Sequence, residues 1–156
     1  MPLLRAALSW NFVLATAICA SLLAQLIKVL LNLFIFHRFI AERMWGAGGM
    51  PSSHSATVCA MVVATGRYCG VNSPLFAIAA VLSIIVMYDA MGVRYETGEQ
   101  AKVLNRMFTE WMDQGFEQFQ LPHGKKLKEM VGHTPLQVVA GFLVGLVVGL
   151  LYPLSL

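Results

Sequence analysis

Apolar residues run almost without interruption over about 10–36, 54–72, 74–92 and 135–154. Each run is near the roughly 20 helical residues needed to cross about 30 Å of hydrocarbon. Backbone groups in lipid must be satisfied within their own segment, so the four runs predict four membrane-spanning helices. Asn72-Ser73-Pro74 interrupts the second and third runs and predicts a tight turn, with Ser73 as N-cap and Pro74 as the first helical residue. Between the third and fourth runs the pattern changes. Leu104, Met107, Phe108, Trp111, Met112, Phe116 and Phe119 recur at helical spacing, with Arg106, Glu110, Asp113 and Glu117 between them. This predicts an amphipathic helix ended by the Leu121-Pro122-His123-Gly124 breaker, seated either in the membrane interface or against the chain's own spans. The expected fold is all-α: a polytopic membrane helix bundle of about four transmembrane helices plus a cytoplasmic amphipathic insertion at 93–134, all in one domain, 1–156.

Composition names the solvent. With 58% hydrophobic and 12% charged residues the chain is too apolar for a water-facing surface, and its mean hydropathy of +0.69 agrees. The formal charge of +3 reads as membrane-surface charge, and no basic, aromatic-laced strand points to nucleic acid. Cys19, Cys59 and Cys69 sit in apolar runs without CxxC pairing, so they read as buried small hydrophobes, with no metal or redox centre. Ala15-Thr16-Ala17 mimics a signal-peptidase site, but the apolar run continues to Phe36, which favours an uncleaved first span. No internal repeat or low-complexity tract divides the chain.

Charge sets the direction. The 37–53 and 93–134 loops carry Arg38, Arg43, Arg94, Lys102, Arg106, Lys125, Lys126 and Lys128, against Arg5 and Arg67 on the other side. The positive-inside rule places these loops in the cytoplasm and both termini outside. The expected membrane is the bacterial cytoplasmic membrane or that of an organelle of bacterial origin.

Two helix starts on that side carry chemistry. The second span opens at Gly48-Gly49-Met50-Pro51-Ser52-Ser53-His54, where glycine lets backbone approach a ligand and Ser52 or Ser53 can cap the helix. The fourth opens with Thr134 as N-cap, Pro135 at the first helical position and Gln137 at capping-box spacing, just after His133. Helix starts present unpaired N–H groups and the positive end of a dipole, so both could converge on one anion. Two histidines beside an anion can divide nucleophile and acid/base work in phosphoryl transfer, and Arg94 can supply a bidentate phosphate contact.

At these residues the sequence resembles the divergent, haloperoxidase-related branch of the type-2 phosphatidic acid phosphatase superfamily. Gly48-Gly49-Met50-Pro51-Ser52-Ser53-His54-Ser55-Ala56 is the strongest match, supported by Tyr88-Asp89-Ala90-Met91-Gly92-Val93-Arg94 and Gly132-His133-Thr134-Pro135. The resemblance implies a lipid phosphate or pyrophosphate phosphohydrolase with His133 as nucleophile and His54 as acid/base. It implies Ser52, the Ser53 amide, Arg94 and Lys28 as phosphate ligands, and no metal or other cofactor. Four departures stand out. Ser53 replaces the motif glycine, Lys28 lacks the Arg-Pro expected after it, the whole amphipathic insertion separates Arg94 from His133 where the superfamily has five residues, and Gln137 stands where the superfamily has an Asp that orients the nucleophile. Gln137 can accept a hydrogen bond from His133 but cannot stabilise imidazolium by charge. The alternative expectation is therefore a protein that binds or transports lipid phosphate without turning it over.

Plainer readings stand beside these. His54 and His133 can be ordinary helix-start polarity, Ser52 and Ser53 plain caps, and Arg94 a positive-inside anchor. Lys28 lies eight residues before Phe36, about 12 Å of helix, and is expected to snorkel to the headgroups. Asp89, ionisable in the last turn of a span, is expected to pair with Arg94 or to orient a histidine in place of the missing acid. His37 and His123 read as solvated loop residues. Gly141, Gly145 and Gly149 form a small-residue stripe for close packing, either within the bundle or with a second copy in a homo-oligomer. The expected partners are membrane lipids and a lipid phosphate substrate.

Overall fold

The computed structural model describes residues 11–36, 49–114, 126–129 and 131–154. Arg5, His37, Arg38, Arg43, Gly48, Phe116, Phe119, Lys125 and the Leu121–Gly124 breaker with His123 lie outside the described residues. Five helices follow in order among those described: α1 (Phe12–Phe36), α2 (Ser53–Cys69), α3 (Pro74–Met91), α4 (Val93–Asp113) and α5 (Pro135–Leu151). The helical stretches from Phe12 and from Pro74 are long and apolar enough to cross a membrane, while α5 is a shorter apolar helix of 17 residues.

α2 is the centre of the bundle, packed by α1, α3 and α5. The interior is made of small and polar side chains. Ala20, Ala24, Ala56, Ala60 and Val148 form its hydrophobic cluster, with Thr16, Lys28, Ser52, Ser55 and Thr65 buried beside them. The large apolar side chains point outward instead, among them Leu22 and Leu26 on α1, Ile84 and Ile85 on α3, and Leu143 and Val147 on α5. A water-soluble fold would bury these groups, whereas lipid leaves no hydrophobic force to do so and lets small residues set the packing. The molecule is an all-α membrane helix bundle.

The glycine stripe shows how close that packing is. A Cβ at Gly141 would meet the Ser52 carbonyl, one at Gly145 the Ala56 carbonyl, and one at Gly149 would lie 2.7 Å from the Val63 Cβ. The stripe is thus filled by α2 of its own chain, the packing alternative of the two expected. At the far end Arg67 donates to the carbonyls of Gly149 (2.6 Å) and Tyr152 (2.8 Å) and lies 5.7 Å from the Phe12 ring centre. One side chain there satisfies the last carbonyls of α5 and ties three helices together.

Two expectations are corrected. Lys28 does not snorkel: it is 2% exposed, on the face of α1 turned into the bundle. Counting residues along a helix gives depth but not rotation, and rotation decides. Cys19 is exposed, while Cys59 is buried and Cys69 half-buried. Nine residues before Lys28, Cys19 falls on the opposite side of α1 and faces outward. The amphipathic helix begins directly after α3, and of its apolar stripe Leu104, Met107 and Met112 are exposed. Its buried face is Gly98, Ala101 and Asn105.

That buried face carries the returning chain. A Cβ at Gly98 would come 2.5 Å from the Glu129 carbonyl oxygen. Asn105 donates to the Leu127 carbonyl (2.9 Å) and the Glu129 carboxylate (2.8 Å), and accepts from the Leu127 amide at 2.8 Å. The segment 126–129 is pinned along α4 on its way back to α5.

Candidate active site at the starts of α2 and α5

Alternating helix direction brings the starts of α2 and α5 to the same end of the bundle as the close of α3. Ser52 caps α2 with an extended backbone, its hydroxyl accepting from the Ser55 amide (3.4 Å) and the Ser55 hydroxyl (3.0 Å). The Ser52 amide in turn donates to the Gln137 carbonyl at 3.0 Å, which bolts the start of α2 to the first turn of α5. Gly141, one turn further along α5, admits the Ser52 carbonyl where any side chain would block it. Ser53 is buried at the first helical position, where amides have no intrahelical partner.

The segments ending at Arg94 and starting at Gly132 are 38 residues apart in sequence and adjacent in space. A Cβ at Gly132 would run into the backbone of Arg94 and Tyr95, and the His133 amide donates to the Ala90 carbonyl at 3.1 Å. The α4 insertion therefore loops out and returns to its point of departure.

His133 is 3% exposed, and its ring centre lies 6.3 Å from that of His54, with the planes at 59°. Its Nδ1 is 3.2 Å from Gln137 Oε1, the same oxygen that accepts from the Thr134 amide at 3.2 Å. A backbone N–H can only donate, so the atom it faces is the amide oxygen, and His133 must meet that oxygen with Nδ1–H. The free lone pair is then on Nε2. Burial pushes the His133 pKa below the ordinary histidine value of 6.5; the Gln137 bond opposes this, and the charges of Lys28, His54 and Arg94 add to the lowering.

Lys28 and Arg94 are close enough for their charges to act on both rings. The stem of Lys28 passes Gly49, where a Cβ would sit 3.4 Å from its Cδ; Gly49 has φ +89°, a conformation open to glycine. Among the described residues no carboxylate pairs with Lys28. A buried ammonium without a counter-ion favours an anion beside it. Arg94 Nε bonds Asp89 Oδ2 at 2.5 Å across the Gly92 break, with both side chains well exposed. Of the two roles expected for Asp89, the ion pair is the one seen; the position against His133 Nδ1 belongs to Gln137.

The structure thus gathers His54, His133, Ser52, Ser53, Lys28, Arg94 and Gln137 at one end, with Asp89 behind Arg94. Ser55 and Asn105 escaped the sequence reading. Ser55, three residues after Ser52, is in register for a shared hydroxyl pair, whereas Asn105 looks like any polar residue of an amphipathic helix. Among the described residues no three His, Cys, Asp or Glu side chains gather as a metal site.

The chain matches the divergent PAP2 family over residues 9–148. It is 37% identical over 146 residues to the uncharacterised membrane protein YuiD of Bacillus subtilis (strain 168), covering 90% of this chain and 92% of that one. No solved structure matches it. With the match spanning nearly the whole bundle, both helix starts included, the chain belongs to the divergent PAP2 family of phosphatase-related membrane proteins.

Proposed function

We propose that the protein is a metal-independent lipid phosphate or pyrophosphate phosphohydrolase. The observation that carries this is the pair of histidine rings, 6.3 Å apart at two helix starts, under the charges of Lys28 and Arg94. That spacing is too wide for the rings to bond each other and leaves room for one tetrahedral group between them. His133 Nε2 attacks phosphorus, and the leaving oxygen takes a proton from His54 as its bond to phosphorus breaks. His54 then removes a proton from water, which displaces the phosphoryl group from His133 and releases inorganic phosphate. Lys28, Arg94, Ser52 and the free amides of the α2 start hold the non-bridging oxygens, where charge accumulates.

Four of the helices, α1, α2, α3 and α5, are read as spans, with the site on the cytoplasmic side because the loops at that end hold most of the lysine and arginine. Single cysteines placed near residues 46 and 124 should be labelled from the cytoplasm. Labelling from opposite sides would break the composite site. For activity, purified protein should release phosphate from phosphatidate or polyprenyl phosphates, and release by His133→Ala equal to that of the native chain would sink the mechanism.

Gln137 favours a second reading, a binding or transport protein that keeps the anion pocket without turnover, since an amide cannot stabilise imidazolium by charge. Saturable lipid phosphate binding without any phosphate release would select it.

A further inference from the structure

The face of α2 that carries His54 continues through Val58, Met61, Thr65 and Tyr68, at steps of four, three, four and three residues that stay on one side of a helix. Its far part floors a crevice of about 550 Å³, walled by Leu14 and Ala17 of α1 and by Ile78 and Leu82 of α3. The walls keep the same register. Lys28 follows Ala17 by 11 residues and Asp89 follows Ile78 by 11, three turns in each case, so the site and the crevice share one face of every helix that borders them. α1 and α3 both pack on α2 and border this face of it.

Depth says what fits. Thr65 lies 11 residues from His54, as Ala17 does from Lys28, and at 1.5 Å per residue each is about 16 Å along the helix. One leaflet of a hydrocarbon core of about 30 Å is about 15 Å thick. The crevice opens at Met61 and Leu82, about 10 Å along the helix from His54 and Asp89, and continues to Tyr68 and Leu75, about 21 Å away, so its far part lies beyond the reach of tails that fill a single leaflet. The hydroxyl of Thr65 is bonded to the Met61 carbonyl at 2.7 Å, so Thr65 asks no hydrogen bond of an occupant.

We propose that this crevice holds the distal part of one long hydrocarbon chain whose phosphate sits between His54 and His133. The preferred substrate is then a single-chain lipid phosphate with a tail longer than one leaflet. This rests on the reading of the histidine end as a lipid phosphate site, but not on turnover. The test uses His133→Ala protein in vesicles and polyprenyl monophosphates carrying a photoreactive diazirine at the tail end, one about a leaflet long and one about twice that. The long probe should label Thr65, Tyr68 or Leu75. Unlabelled long-chain phosphate should compete at least tenfold better than the same chain ending in an alcohol. Labelling spread evenly over the outward-facing Ile85 and Leu143, or equal competition by the alcohol, would mean that the crevice holds bulk lipid and would overturn the proposal. In otherwise native protein, Ala79→Phe should narrow the crevice and lower kcat/KM for the long phosphate relative to the short one by about tenfold; an unchanged ratio also overturns it. Crevice labelling without hydrolysis of any phosphate would uphold the chain site and remove only the hydrolase.

Discussion

Ser52 and Ser73 cap their helices with the same device: extended backbone at the cap and a hydroxyl accepting the amide three residues on, at 3.4 and 3.2 Å. Both leave first-turn amides free, and both put the positive end of a dipole at the bundle's edge. Only the α2 start is surrounded. Ser52 is fully buried, with His133, Lys28 and Arg94 close by, whereas the α3 start is reached by a short turn and its neighbours are Gly66 and Phe76. The difference teaches that a helix start becomes an anion site through what converges on it. The dipole and the cap are common to both ends; the charges and the histidines are not.

The sharpest break of that comparison is His133→Ala, which should lower phosphate release by at least about 10³-fold, as expected for removal of a nucleophile. Ser73→Ala, at the other start, should leave release unchanged. Equal activity of the His133 variant and the native chain would make the two starts equivalent. Next in size is Gly141→Ala. Its new methyl would run into the Ser52 carbonyl, so the α2 start must shift against α5, at about 1–3 kcal/mol of overpacking and a tenfold or greater loss of turnover. Gly70→Ala at the far end meets nothing within 4 Å but must adopt φ +83°. It should cost about 1–3 kcal/mol in thermal unfolding and nothing in kcat/KM.

A smaller effect separates capping from ligand binding. Ser52→Ala and Ser73→Ala should each cost about 1 kcal/mol of stability, as lost caps do. Only Ser52→Ala should also raise KM, by about tenfold, if its hydroxyl meets phosphate. An unchanged KM would reduce Ser52 to a cap.

Much of this was legible in the chain. Apolar runs locate α1 and α3, Ser73-Pro74 fixes the turn between α2 and α3, and the two His-bearing starts mark the site. What the sequence hid is rotation and return. Lys28 looked like a snorkelling lysine because depth along α1 is readable while the face it presents depends on α2. The return of His133 to Arg94 depends on Asn105, Gly98 and Gly132, each unremarkable until residues 126–129 are laid on α4 and Gly132 on the α3–α4 junction. Close approach between backbones distant in sequence leaves only a glycine as its trace, and a glycine alone does not name its partner.

The finest discrimination concerns Gln137, the residue that departs most from the superfamily's pattern. Its Oε1 serves both His133 Nδ1 and the Thr134 amide, so a replacement must keep an oxygen at that reach. Glutamate does and aspartate is one methylene short, which makes Gln137→Glu the better gain-of-charge variant. In the native chain burial leads the lowering of the His133 pKa, so the neutral nucleophile persists below the ordinary value of 6.5, and kcat/KM should fall only as pH drops through that lowered value. A carboxylate against Nδ1 favours imidazolium and raises the pKa. The acid limb of Gln137→Glu should therefore move to higher pH. Above it, the plateau should rise several-fold, because the positive ring of the phosphohistidine intermediate gains a counter-charge. Such a shift would place Gln137 in contact with the working histidine. Superimposable profiles would show that its side chain serves the Thr134 amide alone, making the α5 start as plain a cap as the α3 start.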